Sequence, residues 1–297
     1  MALDAENSSP TSKAPPQAII LAAGKGTRMA ADVADLANQS ADQDAVAPPK
    51  VLYPVADKPM VWWVVQACKQ AGVSRCILVI GYEGQQVRDA LAGESDCIFV
   101  EQTEQLGTGH AADMAKPLFA DQPNCDVFVL AGDGPLIRPK TLTQVLNVHQ
   151  TAGATATLAT AVIDDPTGYG RVIRDEQGGL DAIVEHKDAN EQQLAVKEIN
   201  PSYYCFDADK LFDSLSRVGN DNSQGEYYIT DVPGMMKREG NIVSVVDAVP
   251  ADDVHSVNNP QQLAVVDAIM RARLNKQPDV SEQSKPVTAT NDVENQA

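Results

Sequence analysis

The sequence predicts an α/β fold, with a mostly parallel sheet covered by helices on both faces and a smaller mixed β half. In the first half of the chain, short continuous apolar runs alternate with segments of helical spacing, which is typical of parallel strands. After Gly153 the pattern changes to strand-like segments, two of which flank a glycine-containing hairpin turn. At 297 residues the chain can bury such a core without disulfides or structural metals.

The predicted elements follow one another along the chain. The first-half strands are residues 17–22, 76–80, 97–101 and 126–130, and the helices are 60–71, 84–91, 109–118 and 140–150. In the second half, strands are predicted at 154–163, 171–174, 180–185, 198–206 and 242–249, and helices at 208–215, 228–239 and 261–274. No Pro-, Gly- or Ser-rich linker separates the halves, so we expect one continuous core.

The predicted domain covers residues 17–274. Residues 17–150 would form a nucleotide-binding half, and residues 151–274 would supply a second substrate pocket. Residues 1–16 and 275–297, which have little apolar content, are expected to be a disordered arm and a disordered tail. Residues 30–47 contain four aspartates and no basic residue, and we interpret them as a flexible acidic insertion.

Composition excludes several classes of partner. The 23 basic and 41 acidic residues give a net charge of −18, which argues against nucleic acid or an anionic membrane as a partner. The five cysteines form no Cys-x-x-Cys pair and are interpreted as reduced core thiols, and the four histidines lack metal-ligand spacing. The N-terminus has no signal-peptide pattern and the chain has no run of eighteen apolar residues, so a cytoplasmic location is expected.

The loop after the first predicted strand suits a phosphate group. Gly24 and Gly26 allow a sharp turn that brings backbone N–H groups close to an anion, and Lys25 and Arg28 add positive charge. The loop does not end in the Gly-Lys-Ser/Thr of the P-loop, and Met29 replaces the third glycine of the dinucleotide motif. The alternative is an ordinary glycine-rich turn with two solvated cations.

Three further polar residues lie at predicted element ends, where ligands bind in open α/β sheets. Gln102 precedes the glycine-rich turn 107–109, where its amide could read a base edge, although an ordinary turn is the alternative. Asp133, between two glycines at the tip of a buried strand, suits Mg²⁺, which takes few protein ligands; the alternative is a turn cap. Asn258 precedes the last helix and, taken alone, is interpreted as a helix cap.

Taken together, these segments resemble the sugar-nucleotide pyrophosphorylases, most closely the uridylyltransferase domain of bacterial N-acetylglucosamine-1-phosphate uridylyltransferases. The resemblance covers residues 17 to about 274. It rests on residues 21–29, 49–50, 105–111, 132–133, 165–171, 183–189, 224–231 and 257–259, in that order. It implies a Rossmann-like nucleotidyltransferase sheet that binds UTP, with a sugar-binding second half.

The resemblance also implies a role for each motif. The chain would transfer UMP from UTP to N-acetylglucosamine 1-phosphate, with Arg28 and Lys50 as catalytic residues on the phosphates. Asp133 and Asn258 would bind the Mg²⁺ cofactor. The nucleotide would be bound by Leu21, Ala22, Ala23, Gly24, Gln102, Gly107, Thr108 and Gly132. The sugar would be bound by Gly170, Glu185 and Asn200, with Tyr228 and Thr230 lining its pocket.

The sequence departs from the family in two places. Asn200 is followed by Pro201-Ser202 where the family has Thr-Gly, so glucose 1-phosphate or another sugar phosphate is an alternative acceptor. Residues after Leu274 lack the hexapeptide periodicity of the acetyltransferase β-helix in bifunctional members, so neither that activity nor its trimer is expected, and the oligomeric state is left open. A nucleotide-binding module without catalysis is the alternative of a different class.

Overall fold

The computed structural model describes residues 13–26, 29, 47–122 and 124–276. The strands are β1 (Ala14–Ala22), β2 (Pro54–Val55), β3 (Lys58–Pro59), β4 (Arg75–Ile80), β5 (Cys97–Glu101), β6 (Cys125–Ala131), β7 (Ala156–Val162), β8 (Gly170–Arg174), β9 (Leu180–Val184), β10 (Glu198–Asn200), β11 (Tyr203–Asp207) and β12 (Val243–Asp247). The helices are α1 (Met60–Gln70), α2 (Gly84–Ala90), α3 (Thr108–Asp113), α4 (Pro139–Ala152), α5 (Glu191–Leu194), α6 (Ala208–Leu215), α7 (Asp231–Arg238) and α8 (Pro260–Lys276).

The first half forms the predicted parallel sheet. Strands β5, β4, β1 and β6 lie side by side and are parallel. On one face, Ile20 and Leu78 share an apolar cluster with Val64 of α1 and Leu142 of α4. On the other face, Ile19 belongs to a second cluster that includes residues of α6 and α7. Burial of both faces explains why these strands read as continuous apolar runs.

The second half continues the same sheet instead of starting a new one. Strand β11 is antiparallel to β6 on one side and to β7 on the other, and the order then runs β7, β10, β8, β9. Strand β12 lies parallel to β7. The predicted β8–β9 hairpin is present, and its turn is held by Asp175, whose backbone N–H donates to the Gly179 carbonyl at 2.9 Å. The large, mostly parallel sheet with helices on its faces confirms the predicted fold class.

The predicted strand at 198–206 is wrong, because the structure contains two strands there. Strand β10 pairs with β7 and β8, whereas β11 pairs with β6 and β7. Pro201 has no N–H to donate to a ladder, and Ser202 has a φ of 65°, in the left-handed region that a continuous strand cannot adopt. The chain therefore turns between the two strands.

Other element ends differ from the prediction by a few residues. Strand β1 begins at Ala14, so part of it lies within the predicted N-terminal arm. The predicted helix at 109–118 is divided into α3 and a 3₁₀ turn at Lys116–Phe119, and the predicted helix at 228–239 begins only at Asp231. Residues 1–12, 30–46 and 277–297, which contain most of the predicted arm, insertion and tail, lie outside the described residues.

The cysteines agree with the prediction of core thiols. All five are free; Cys68, Cys76, Cys125 and Cys205 are buried, and Cys97 is partly exposed. Within the described part of the chain, no helix combines the length and the hydropathy that crossing a bilayer requires.

A buried carboxylate anchors the start of β6. Asp126 accepts hydrogen bonds from Lys13 Nζ at 2.5 Å and Gln150 Nε2 at 2.9 Å, and His149 Nε2 lies 3.4 Å from its Oδ1. Burial alone would raise the pKa of the Asp126 carboxyl, but His149, Lys13 and Gln150 outweigh burial and lower that pKa to about 2.

We expect this cluster to make the stability of the fold depend on pH in the acidic range. A carboxyl whose pKa is lower in the folded state stabilises the fold above its unfolded pKa of about 3.9, and this stabilisation is lost as the pH falls through the folded value. Asp126→Asn should lower the free energy of unfolding by about 2 kcal/mol at neutral pH and flatten its decline between about pH 5 and pH 2. Urea unfolding at several pH values tests this, and parallel pH curves for both proteins would contradict it.

Candidate active site

A cavity of about 1040 Å³ lies at the carboxyl ends of the parallel strands and is lined by residues of both halves of the sheet. The predicted site residues that line it are Leu21, Ala22, Ala23, Gly24, Lys50, Gln102, Gly107, Thr108, Asp133, Gly170, Glu185, Asn200 and Asn258. Arg28 lies outside the described residues. The structure thus brings residues that are far apart in the sequence to one place.

Three predicted site residues lie behind the cavity wall instead. Gly132 donates its N–H to the Leu21 carbonyl at 3.0 Å, and a Cβ on Gly132 would lie 2.9 Å from that oxygen, so the glycine allows close packing of two loops. The Tyr228 hydroxyl accepts a hydrogen bond from Gln224 at 2.8 Å. Thr230 is 3% exposed and lies against Glu185. These three residues can support the site without forming its surface.

Lys50, Asp133 and Asn258 meet at the centre of the cavity. The Lys50 ammonium forms an ion pair with Asp133 Oδ2 and donates to Asn258 Oδ1 at 2.7 Å. Gly26 makes room for Lys50, because a Cβ on Gly26, at φ 61°, would lie 2.6 Å from Lys50 Cβ. One carboxylate oxygen and one amide oxygen therefore point at the same cation.

The helix cap that the sequence suggested for Asn258 is made by Asn259. The Asn259 side chain accepts from the Gln262 N–H at 2.8 Å, while the Gln262 side chain accepts from the Asn258 N–H at 2.7 Å. The two asparagines thus divide the roles, since Asn259 caps α8 and the amide of Asn258 faces the cavity.

The oxygens of Asp133 and Asn258 are of the type that Mg²⁺ prefers. They already converge on a cationic nitrogen, so a hard cation fits the same position. Among the residues that the structure describes, no group of three or more His, Cys, Asp or Glu side chains could hold a metal ion. The donor set therefore suits an ion that has few protein ligands and completes its coordination with water and substrate phosphates.

Where the nucleotide is predicted to bind, the loops after β1 and β5 are tied together. Gln102 is 4% exposed, and its Nε2 donates to the Gly107 carbonyl at 3.1 Å and contacts His110 Nδ1 at 2.9 Å. Gln105 Nε2 donates to the Ala23 carbonyl at 2.8 Å, which joins this loop to the one after β1. These contacts hold the glycine-rich backbone against the cavity.

The end of the cavity where the sugar is predicted to bind is formed by β8, β9 and β10. Burial raises the pKa of Glu185, which follows β9; Thr230 opposes this rise, and nearby carboxylates such as Asp188 add to it. The Asn200 amide nitrogen donates to the Tyr204 hydroxyl at 2.5 Å, and its oxygen accepts from the Ser202 N–H at 3.2 Å. The polar groups of Glu185 and Asn200 thus lie on one wall of the cavity.

Several lining residues were not predicted. They are Gly26, Met29, Val51, Gln105, Ala111, Val129, Leu130, Ala131, Gly134, Thr167, Gly168, Tyr169, Pro201, Ser202, Tyr203, Tyr204, Glu226, Ile229, Val254, Ser256, Asn259 and Gln262. Many of them lie inside the motifs that the sequence analysis recognised. For these, the sequence identified the segment that reaches the cavity but not the individual residue that lines it. Tyr203 and Tyr204 lie just beyond Asn200, and only the pairing of β11 with β6 shows that they reach the cavity.

Comparison with known proteins gives matches along most of the chain. Residues 18–225 match the MobA-like NTP transferase domain family. Two curated relatives, each named bifunctional protein GlmU, come from Bacillus mycoides (strain KBAB4) and Bacillus cereus (strain G9842) and are both 44% identical over 259 residues. Each match covers 87% of this chain and 52% of the relative, so the chain spans about half the length of these curated relatives.

A solved structure has a similar fold. It is described as UDP-glucose pyrophosphorylase complexed with UDP-glucose, and it matches with a TM-score of 0.67 and 18% identity. The match covers 88% of this chain and 100% of that chain. At this identity the likeness concerns the fold.

Proposed function

Because the chain belongs to the MobA-like NTP transferase domain family, we propose that it transfers UMP from UTP to N-acetylglucosamine 1-phosphate and releases pyrophosphate. The observation that carries the proposal is the convergence of Lys50, Asp133 and Asn258 between the nucleotide loops and the sugar end of one cavity. The 44% identity to the GlmU relatives supports this choice of substrates.

UTP would lie across the loops at the nucleotide end. Gln102 and the backbone of Gly107 and Thr108 would contact uracil, and the turn from Leu21 to Gly24 would lie along the nucleotide. The Lys50 ammonium, which lies beside Asp133 and Asn258, would contact the phosphates. The role of Arg28 on the same phosphates stays a prediction.

The sugar phosphate would lie at the other end. Glu185 and Asn200 have acceptor and donor groups for sugar hydroxyls, and Gly170 lines the cavity beside Glu185. In this arrangement the 1-phosphate would face Lys50 and Asp133.

The reaction follows from this placement. An oxygen of the sugar 1-phosphate attacks the α-phosphorus of UTP in line; the new P–O bond forms as the bond to the bridging oxygen of the β-phosphate breaks, and pyrophosphate leaves with the electron pair. The attacking oxygen is already anionic, so no side chain needs to remove a proton. The protein orients the two phosphates and offsets their charge through Lys50. When bound by Asp133 and Asn258, Mg²⁺ supplies further charge neutralisation.

A second acceptor has one specific observation in its favour. Pro201 and Ser202 line the cavity beside Asn200, where the resembling family has Thr-Gly. Ser202 adopts a φ of 65°, a backbone conformation that glycine adopts more readily than serine does. This change alters the wall that would contact the sugar, so glucose 1-phosphate is the competing acceptor.

We expect UTP with N-acetylglucosamine 1-phosphate to give the highest kcat/KM among pairs of nucleoside triphosphates and sugar 1-phosphates. Pyrophosphate release over such a matrix measures it. As a matched variant, Pro201→Thr combined with Ser202→Gly should shift the preference between the two acceptors. A higher kcat/KM for glucose 1-phosphate in the wild-type protein would replace the proposed acceptor, and no turnover of any pair would refute the proposed function.

A further inference from the structure

Tyr203 has a position in the cavity that no motif suggested. It is the first residue of β11 and pairs with Leu130 of β6, the strand that leads to Asp133. Tyr203 lines the cavity although the residue is only 2% exposed. The ring is therefore fixed by its surroundings and meets the cavity over a small area.

The hydroxyl of Tyr203 lies beside the loop that carries Asp133. A Cβ built on Gly134 would be 3.4 Å from the Tyr203 hydroxyl oxygen and 3.7 Å from the adjacent ring carbon. The edge of the Tyr203 ring therefore lies directly beside Gly134. The hydroxyl lies near the first residue after Asp133.

The Tyr203 hydroxyl has no hydrogen-bond partner among the described residues, yet it is not sealed inside the protein. Neighbouring tyrosines differ, since the Tyr169 hydroxyl donates to the Val254 carbonyl at 3.1 Å and the Tyr204 hydroxyl accepts from Asn200 at 2.5 Å. A polar group held this firmly without an internal partner is suited to a ligand.

The chemistry of the hydroxyl selects the kind of ligand atom. A tyrosine hydroxyl is protonated at neutral pH even at its ordinary pKa of about 10, so it is available as a donor. Burial, followed by the charges of Asp253 and Asp133, raises the pKa of Tyr203 further. A phenolic donor suits an anionic oxygen. Tyr203 lies in the chain just after Asn200 of the sugar end and in space next to the Asp133 loop. The group that joins these two places in the bound acceptor is its phosphate.

We propose that the Tyr203 hydroxyl binds the acceptor by donating a hydrogen bond to a non-attacking oxygen of the sugar 1-phosphate. This inference rests on the proposed function. Tyr203 would thus orient the acceptor phosphate, another oxygen of which attacks UTP. The contact concerns the acceptor alone, so it should affect the two substrates unequally.

Tyr203→Phe tests this, because it removes one oxygen atom and keeps the ring. Hydrogen bonds to charged groups contribute about 1.5–3 kcal/mol, so the KM for the sugar 1-phosphate should rise about tenfold or more. The KM for UTP should stay within about twofold of the wild-type value. The Tm should be unchanged, because the substitution breaks no hydrogen bond to a residue that the structure describes.

Tyr169→Phe is the matched control for stability. It removes a hydroxyl that is bound to Val254, so its Tm should fall. A loss of Tm in Tyr203→Phe as large as in Tyr169→Phe would overturn the inference, because it would reveal an internal partner.

The wild-type assay separates the two levels of the proposal. Wild-type turnover combined with an unchanged acceptor KM in Tyr203→Phe would overturn the role of Tyr203 and leave the proposed function standing. Absence of wild-type uridylyl transfer to any sugar phosphate would overturn both. A rise confined to the acceptor KM would support both.

Discussion

Asp133→Ala is expected to lower Mg²⁺-dependent turnover by about 100-fold or more, which corresponds to about 2.7 kcal/mol of lost transition-state stabilisation. The substitution removes the carboxylate of the two-oxygen site at the centre of the cavity and leaves Lys50 without its ion-pair partner. The fold should be retained, since the Asp133 side chain is 24% exposed and packs no apolar core. Pyrophosphate release at saturating substrates and several Mg²⁺ concentrations measures the effect, and calorimetry checks the Tm.

Controls for this result are present in the chain. Asn258→Ala should cause a similar loss of turnover, because it removes the second oxygen. The adjacent Asn259 caps α8, so Asn259→Ala should cost about 1 kcal/mol of stability instead. Asp213→Ala changes an exposed aspartate that pairs with Arg217 on the surface, and its turnover should equal that of the wild type. Near-wild-type turnover in Asp133→Ala would remove Asp133 from the site.

Asp253→Ala is expected to lower the free energy of unfolding by about 3 kcal/mol, because it leaves cations without their buried partner. Asp253 is 1% exposed and accepts from Arg138 Nη2 at 2.8 Å and Arg273 Nη2 at 2.5 Å. Arg273 also donates to the Leu136 carbonyl at 2.8 Å. The carboxylate thus joins the 3₁₀ turn at Ala251–Asp253 to the start of α4 and to α8.

Urea unfolding measures this change, and the neighbouring Asp252 provides the control. Asp252 is exposed, so Asp252→Ala should alter stability by less than about 0.5 kcal/mol. A loss below about 1 kcal/mol in Asp253→Ala would show that the ion pairs are replaceable by solvent. Asn258 lies only five residues after Asp253 in the chain, so the loss of Asp253 should also disturb the position of Asn258. We therefore expect the turnover of Asp253→Ala to depend less strongly on Mg²⁺ than that of the wild type.

Sequence patterns were sufficient to predict features that depend on residues close together in the chain. Asp133 follows an apolar run that is buried on both faces, and parallel strands bring their carboxyl ends to one edge, so its place beside the loop after β1 could be predicted. The pattern could not decide between Asn258 and Asn259, because both are good helix caps and only the contacts of Gln262 distinguish them.

The sequence could not predict which strands lie side by side when they are far apart in the chain. The run at 198–206 looks like one strand, and although Pro201 suggests a break, nothing local shows that β11 lies beside β6. The position of Tyr203 depends on that pairing, which is why its side chain was not predicted to reach the cavity. The roles of Arg28 and of the acidic insertion stay predictions, since residues 27–28 and 30–46 lie outside the described residues.

The continuity of the sheet limits how the cavity can change its size. Strand β11 forms register pairs with β6 from Tyr203 to Asp207 and with β7 from Tyr204 to Phe206, so it fastens the two halves through main-chain hydrogen bonds on both edges. Rotation of one half against the other as two separate rigid bodies would break these hydrogen bonds. The distance between the loops after β1 and β5, on one side, and the ends of β8, β9 and β10, on the other, is therefore set by the backbone of one continuous sheet.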